Sequence, residues 1–163
     1  MDLNRLFVTF FGTGLSPKAP GTVGSFAALL AGLLILEIAP MQTLFILTLV
    51  ITIIGIFEIN KYEKKTGTHD DKSIVIDEVS GMWIALMFAI ATAKTMQYNY
   101  ANEIAIVGSF AAFRLFDIWK PSIIGTIDQK VKGGLGVMGD DVVAGIAGGL
   151  LTVVLLLGLD KVL

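Results

Sequence analysis

Five long apolar segments constrain what this chain can fold into. Each has about the 17 to 25 residues that a helix rising about 1.5 Å per residue needs to cross about 30 Å of hydrocarbon. Lipid forces every backbone polar group to bond internally, and the alternating pattern of a barrel strand is missing. The sequence therefore predicts an all-α, polytopic membrane helical bundle of about five spans, at residues 23–39, 43–59, 74–93, 100–119 and 142–159.

Composition supports a membrane protein and excludes several chemistries. Of 163 residues, 55% are hydrophobic and 16% are charged, against roughly 45–50% and ~25% in an average soluble domain. Because the chain has no cysteine, disulfides, thiolate metal sites and cysteine nucleophiles are excluded. We expect a single domain over residues 1–163 and no nucleic-acid partner, while the oligomeric state is left open.

The loops and termini predict the topology. Residues 1–15 are too short to span the membrane in this register, so an interfacial helix fits their apolar side chains better. Only residues 40–42 separate the first two segments, which predicts a tight hairpin whose first arm either crosses fully or re-enters. Nine lysines and arginines fall on the N-terminal side and two on the other. The positive-inside rule then places the N-terminus in the cytoplasm and the C-terminus outside.

Unusual polar groups meet the membrane at one edge in this topology. A random scatter of solvated loop charges would not explain five such stretches at one depth, so we expect a functional site there. The stretches are residues 12–25, residues 69–71, Asp77 with Glu78, Arg114 with Asp117, and Asp140 with Asp141.

Asp77 and Glu78 open the third span. With a helix beginning near Ser73, they lie about one turn inside, where a carboxylate costs up to roughly 2.5–3.5 kcal/mol at full depth and less near the interface. One interpretation is that both are favoured by the helix dipole and reach water. The other is that a bound cation offsets their charge, which is favoured because adjacent helical residues point about 100° apart.

Arg114 and Asp117 close the fourth span on one helix face, three residues apart. Pro121 disfavours α geometry at Lys120, so the helix ends there with a cation. These residues form either an ordinary ion pair beside an interface anchor, or a metal-ligating carboxylate next to two cations that are free to hold phosphate oxygens.

The remaining stretches have two interpretations each. Asp140 and Asp141 follow a glycine-rich loop and are either helix N-caps or metal ligands. Residues 12–25, with Ser16, Thr22 and Ser25, form either a phosphate cradle or a re-entrant turn. His69 is either a loop residue or a catalyst. Carboxylate oxygens without a cysteine or histidine cluster suit Mg²⁺, which indicates a membrane enzyme acting on a phosphorylated lipid headgroup at the cytoplasmic surface.

Four motifs in this order resemble the bacterial phosphatidylglycerophosphatase A family over nearly the whole chain. They are FGTGLSPKAPGTVGS, HDD followed by VIDEVSGMW, FRLFDIWKP and GGLGVMGDDVVAG, at residues 11–25, 69–83, 113–121 and 133–145. The resemblance implies a Mg²⁺-dependent, multi-pass phosphatase of the bacterial inner membrane that hydrolyses phosphatidylglycerophosphate to phosphatidylglycerol and phosphate. The phospholipid is then its partner, and the active site faces the cytoplasm.

The resemblance also distributes roles over the residues. It implies metal ligation by Asp77, Glu78, Asp117, Asp140 and Asp141, and phosphate binding by Arg114 and Lys120 with Ser16, Thr22 and Ser25. The expected catalytic groups are Asp77, Glu78, Asp117 and His69. The nucleophile is left open between a water activated by a carboxylate or His69 and an aspartyl-phosphate formed on Asp77 or Asp117.

Two other classes of protein are weighed against this function. A CDP-alcohol phosphotransferase would also be metal-dependent, but its aspartate-rich helix is absent. A small ion-coupled transporter would place acids at the midplane between inverted repeats, whereas the acids here cluster at one edge.

Overall fold

The computed structural model describes residues 2–162, and it is all-helical there. The order is α1 Leu3–Val8, α2 Pro20–Ile38, α3 Met41–Thr66, α4 Ile76–Ala93, α5 Ala101–Trp119, α6 Ile123–Lys130 and α7 Gly134–Asp160, with a 3₁₀ turn at Thr13–Leu15. The prediction of an all-α membrane bundle is confirmed.

Four helices, α2, α3, α4 and α7, are long and apolar enough to cross a membrane. The fifth predicted segment is α5, a helix of 19 residues that carries Glu103, Arg114 and Asp117. The structure is therefore roughly consistent with about five spans, four of them strongly apolar and the fifth, α5, of spanning length.

Helix α4 is the centre of the bundle, since it packs against α2, α3, α5 and α7. Its Met82, Ala85, Leu86 and Ala89 are fully buried. The outer helices instead expose large apolar side chains, such as Leu34, Ile38, Ile53, Phe57, Val154 and Leu155. Such exposure suits a lipid environment, because acyl chains are as apolar as these side chains.

Glycines set the closeness of α4 and α7. A methyl group at Gly145 would collide with the backbone of Gly81, and one at Gly149 would lie 2.9 Å from Phe88 Cβ. Both partners belong to α4, so the small-xxx-small pair forms a helix-packing face. This contact brings the acidic part of α7 beside the start of α4.

Helix α7 begins at Gly134, earlier than the expected start near residue 140. The expectation of a glycine loop before Asp140 was wrong, because this stretch packs against α3 as a helix. A side chain at Gly134 would collide with the Ile56 backbone. Asn60 Oδ1 accepts a hydrogen bond from the Gly134 N–H at 2.8 Å. Asp140 and Asp141 therefore lie inside the helix and are not its N-caps.

Two further boundaries differ from the expectation. Helix α4 begins at Ile76, so Asp77 and Glu78 belong to its first turn and do not lie one turn inside. Helix α6 falls in a stretch predicted to be a loop, and it is short, with eight residues of which only Ile124 is buried. The helical pattern of apolar residues in α6 is too short for the sequence to distinguish this helix from a polar loop.

The N-terminal segment is held against α3. Asn4 Nδ2 donates to the backbone oxygen of Glu58 at 2.9 Å and to Glu58 Oε2 at 2.6 Å. Leu3 and Phe11 remain exposed, at 84% and 78%. This arrangement agrees with the predicted interfacial helix, which would insert those apolar side chains between headgroups.

Replacing Gly145 tests the helix contact. Gly145→Val forces side-chain atoms into the Gly81 backbone, and overpacking of this kind costs about 1–3 kcal/mol. We expect a lower unfolding temperature in detergent, and the intrinsic fluorescence of the two tryptophans measures it. The control is Gly158→Ala on the same helix, where nothing lies within 4 Å; equal stability of both variants would contradict the packing role.

Candidate active site

The polar stretches converge on one cavity of about 230 Å³ at one end of the bundle. The helices alternate in direction, so the first turns of some helices lie beside the last turns of their neighbours. Each helix therefore places its terminal polar residues at the same end of the bundle. The cavity is lined by Gly21 from α2, His69 from the loop before α4, Asp77 and Glu78 from α4, Asp117 from α5, and Asp140 and Asp141 from α7.

Arg114 joins three helices through one guanidinium nitrogen. Its Nη1 lies 2.6 Å from Glu78 Oε2, 2.5 Å from Asp117 Oδ2 and 3.1 Å from Ser25 Oγ. The Ser25 hydroxyl also contacts Glu78 and lies 2.8 Å from the Gly21 carbonyl oxygen. Of the two interpretations of Arg114, the structure shows the ion pair with Asp117 and adds Glu78 as a second acid. Both carboxylates are largely buried and need a partner of opposite charge.

Three carboxylates form a group that could hold a metal ion. Ligand atoms of Glu78, Asp117 and Asp141 lie within 4.8 Å of one another. Asp77 lines the same cavity, while Asp140 faces Lys120. The structure thus brings all five predicted ligands to the cavity and gathers three of them into one compact set.

The donor atoms fit a divalent cation. Asp77 Oδ1, Asp140 Oδ1 and Asp141 Oδ2 are buried without a hydrogen-bond partner. Buried carboxylate oxygens without a donor are strongly unfavourable unless a charge compensates them. A hard cation bound among these oxygens would supply that compensation, and oxygen-only ligation is what Mg²⁺, Ca²⁺ and Mn²⁺ prefer.

Lys120 connects α6 to α7. Its Nζ lies 2.5 Å from Asp128 Oδ1 and 2.6 Å from Asp140 Oδ2. Burial opposes the charge of this ammonium group, but the hydrogen bonds that it donates to Asp128 and Asp140 outweigh this effect and raise the pKa of Lys120 well above its usual value. An ammonium has three N–H donors, so one remains for another ligand. Asp128 escaped the sequence analysis because it lies in a polar stretch.

His69 lies at the rim of the cavity and is not free. Its Nδ1 is 2.6 Å from Glu63 Oε1, on the last turns of α3. Glu63 could not be selected from the sequence, because it is one of several charged residues in the segment KYEKK.

The residues of the predicted phosphate cradle lie at different distances from the site: Thr22 and Ser25 contact Arg114, whereas Ser16 does not. Thr22 Oγ1 is 3.4 Å from Arg114 Nη2, and Ser25 belongs to the arginine network. Ser16 does not line the cavity, and its hydroxyl donates to the Lys18 carbonyl oxygen at 2.9 Å.

Gly21 is the point at which α2 approaches the acids. A methyl group there would collide with Glu78 Oε1 and lie 3.4 Å from both terminal nitrogens of Arg114. Only a residue without a side chain lets α2 begin this close to the carboxylates.

The comparison with known families decides what kind of protein this is. The sequence model of phosphatidylglycerophosphatase A matches residues 6–156, which include every residue of the cavity. The chain belongs to the phosphatidylglycerophosphatase A family. It is accordingly a phosphatase of the membrane, with a phospholipid as substrate.

Individual relatives support the phosphatidylglycerophosphatase A assignment. The chain is 39% identical to "Phosphatidylglycerophosphatase A" of Escherichia coli (strain K12), over 87% of this chain and 77% of the relative. It is 36% identical to the protein of the same name from Haemophilus influenzae, over 87% and 82%. A Bacteroides thetaiotaomicron protein named "Putative phosphatidylinositol-3-phosphatase" is also 36% identical, over 86% of each chain. No solved structure matches.

Substitution of Gly21 tests the geometry of the site. Gly21→Ala displaces Glu78 from Arg114 and Ser25, and a misplacement of about 1 Å can lower turnover about 10²-fold. We expect that loss in phosphatase assays of folded, detergent-solubilised protein. Gly139→Ala is the control, since a methyl group there meets only Ile127 Cγ2 at 3.4 Å. Wild-type turnover of Gly21→Ala would show that the close approach does not matter.

Proposed function

We propose that this protein hydrolyses phosphatidylglycerophosphate to phosphatidylglycerol and phosphate in a Mg²⁺-dependent reaction. The observation that carries the proposal is the group formed by Glu78, Asp117 and Asp141 beside Arg114, at one end of an apolar bundle. A phosphate monoester on a lipid headgroup needs this combination: a metal site for its oxygens and fixed cations for its charge.

Glu78, Asp117 and Asp141 would hold the ion, with Asp77 and Asp140 at its margin. Bound Mg²⁺ would polarise the phosphoryl oxygens and neutralise part of their charge. A bound cation would add a second positive charge beside Glu78 and Asp117, whose ion-pair partner is otherwise Arg114. The carboxylates therefore serve both as ligands and as the groups that keep the arginine in place.

Arg114 and Lys120 would hold the phosphate. Arg114 Nη2 makes one long contact, of 3.4 Å, to Thr22 Oγ1. Lys120 retains one N–H donor beyond Asp128 and Asp140. These donors could bind the equatorial oxygens as charge develops on them, which is the largest contribution to catalysis of phosphoryl transfer.

For the nucleophile, we favour a water molecule over a carboxylate. His69 or one of the acids would take the proton of that water. The alternative is an aspartyl-phosphate on Asp77 or Asp117. Trapping of a phosphorylated protein during turnover would favour the second mechanism.

The reaction is assigned to the cytoplasmic face of the bacterial inner membrane. Lys61, Lys64 and Lys65 lie on the last turns of α3, and Lys72 lies in the connection that carries His69. Lys130 and Lys132 precede the start of α7. This concentration of positive charge on the side of the cavity favours a cytoplasmic orientation.

The orientation has a direct test. A reporter fused after Leu163 should read external, because an odd number of spans separates the C-terminus from the cytoplasmic N-terminus. A cytoplasmic signal would overturn the five-span topology and the assigned face.

The reaction itself is tested by phosphate release from three lipids. Phosphatidylglycerophosphate should be hydrolysed with Mg²⁺ and not with EDTA, while phosphatidic acid and phosphatidylinositol 3-phosphate should be poor substrates. The last lipid is included because of the name of the Bacteroides relative. Preferred release from another lipid would overturn the substrate, and undiminished release in EDTA would overturn the metal dependence.

A matched pair of variants controls this experiment. Asp141→Asn removes one charge from the three-carboxylate group and should lower turnover about 10²–10³-fold while weakening Mn²⁺ binding, measured by its paramagnetic signal. Glu37→Gln removes a charge near the far end of α2 and should change neither. Unaltered metal binding by Asp141→Asn would remove that residue from the metal site.

A further inference from the structure

Glu63 is an acidic residue that contacts His69 and Asp70, two residues of the cavity wall. It lies one turn before the end of α3, and its side chain is only 13% exposed although its neighbours Lys64 and Lys65 are exposed. Its Oε1 lies 2.6 Å from His69 Nδ1 and accepts a hydrogen bond from the Asp70 N–H at 3.0 Å. One carboxylate oxygen thus holds two successive residues of the loop that follows α3.

These two contacts determine the position of the histidine ring and its tautomer. A carboxylate accepts hydrogen bonds, so Nδ1 carries the hydrogen in this pair. The lone pair of the neutral ring is then on Nε2, the nitrogen that does not face Glu63. Asp70 has φ +50°, a left-handed backbone that is sparsely populated for residues other than glycine. Its hydrogen bond to Glu63 holds this turn and so the place of His69 in the cavity wall.

The surrounding contacts make Glu63 a rigid support. Asn60, one turn earlier on the same helix, accepts from the Gly134 N–H at the start of α7. Glu63 Oε2 lies beside Gly133, where a methyl group would be 4.0 Å away. The last turns of α3 therefore contact both α7, which carries Asp140 and Asp141, and the loop that carries His69.

We propose that Glu63 is a positioning residue that makes His69 the general base of this phosphatase. The inference rests on the proposed function, in its form with a water nucleophile. One O–H bond of the water breaks and its proton goes to Nε2, while the water oxygen forms a bond to phosphorus. The bond from phosphorus to the glycerol oxygen breaks, its electron pair stays on that oxygen, and the oxygen takes a proton from solvent. Glu63 then faces the cationic ring and stabilises it.

A double-mutant cycle tests this coupling. His69→Ala should lower kcat about 10²–10⁴-fold, and Glu63→Ala about 10–100-fold with KM unchanged. Because Glu63 acts through His69, the double variant should be no slower than His69→Ala alone. Lys64→Ala is the control and should have the wild-type kcat. Glu63→Asp keeps the charge and should recover part of the loss.

The chain has a single histidine, which allows a second test without turnover. With ¹⁵N-labelled histidine, the metal-free protein at a pH where the ring is neutral should show one pair of ring signals with hydrogen on Nδ1. Glu63→Ala should lose this preference, and Glu63→Gln, which keeps an acceptor oxygen, should retain more of it. Circular dichroism of each variant confirms that the helices remain.

The outcomes separate the inference from the function it rests on. Multiplied losses in the double variant, wild-type kcat in Glu63→Ala, or hydrogen on Nε2 in the wild type would each overturn the role of Glu63. Full turnover of His69→Ala, with Mg²⁺ dependence kept, would also overturn it but leave the phosphatase intact. Absence of hydrolysis in the wild-type protein would instead contradict the proposed function.

Discussion

The structure of the site depends on the neutralisation of carboxylates in an apolar bundle. Glu78 and Asp117 lie on different helices and share one nitrogen of Arg114, to which Ser25 of α2 also binds. Removing one partner from such a buried ionic group leaves an uncompensated charge, which typically costs about 3–5 kcal/mol. The arginine therefore ties α2, α4 and α5 together at the level of the cavity, while Asp77, Asp140 and Asp141 each retain a buried oxygen without a protein hydrogen-bond partner.

Close helix packing is what makes this concentration of acids possible. Gly81 of α4 lies against the Asp141 backbone, and Gly145 of α7 lies against Gly81. With larger side chains at these points, α7 would stand further away and Asp141 would leave the group formed with Glu78 and Asp117. The close packing of α4 against α7 and the group of acids at the end of these helices thus depend on the same contact, between Gly81 and Gly145.

The sequence predicted the helices and the edge at which the acids meet, because charged residues at the ends of apolar segments are conspicuous. It could not predict the start of α7, since a run of glycines has low helix propensity and becomes helical here only against Ile56 and Asn60 of α3. Glu63 and Asp128 were missed for a different reason. Both lie in stretches that the sequence predicted to be polar connections, and only the fold shows that Glu63 faces His69 and Asp128 faces Lys120. The spacing of Arg114 and Asp117 predicted their ion pair as one interpretation, but the contact of Arg114 with Glu78 of α4 was beyond the sequence.

Helix α3 has 26 residues and a rise of about 39 Å, longer than the roughly 30 Å of bilayer hydrocarbon. Its last turns, which hold Asn60 and Glu63, thus extend beyond the apolar layer while the rest of the helix is embedded in it. A thinner or thicker bilayer changes the tilt of such a helix. Asn60 contacts α7 and Glu63 contacts His69 in these last turns, so the lipid-facing part of α3 and the support of the site belong to one continuous helix.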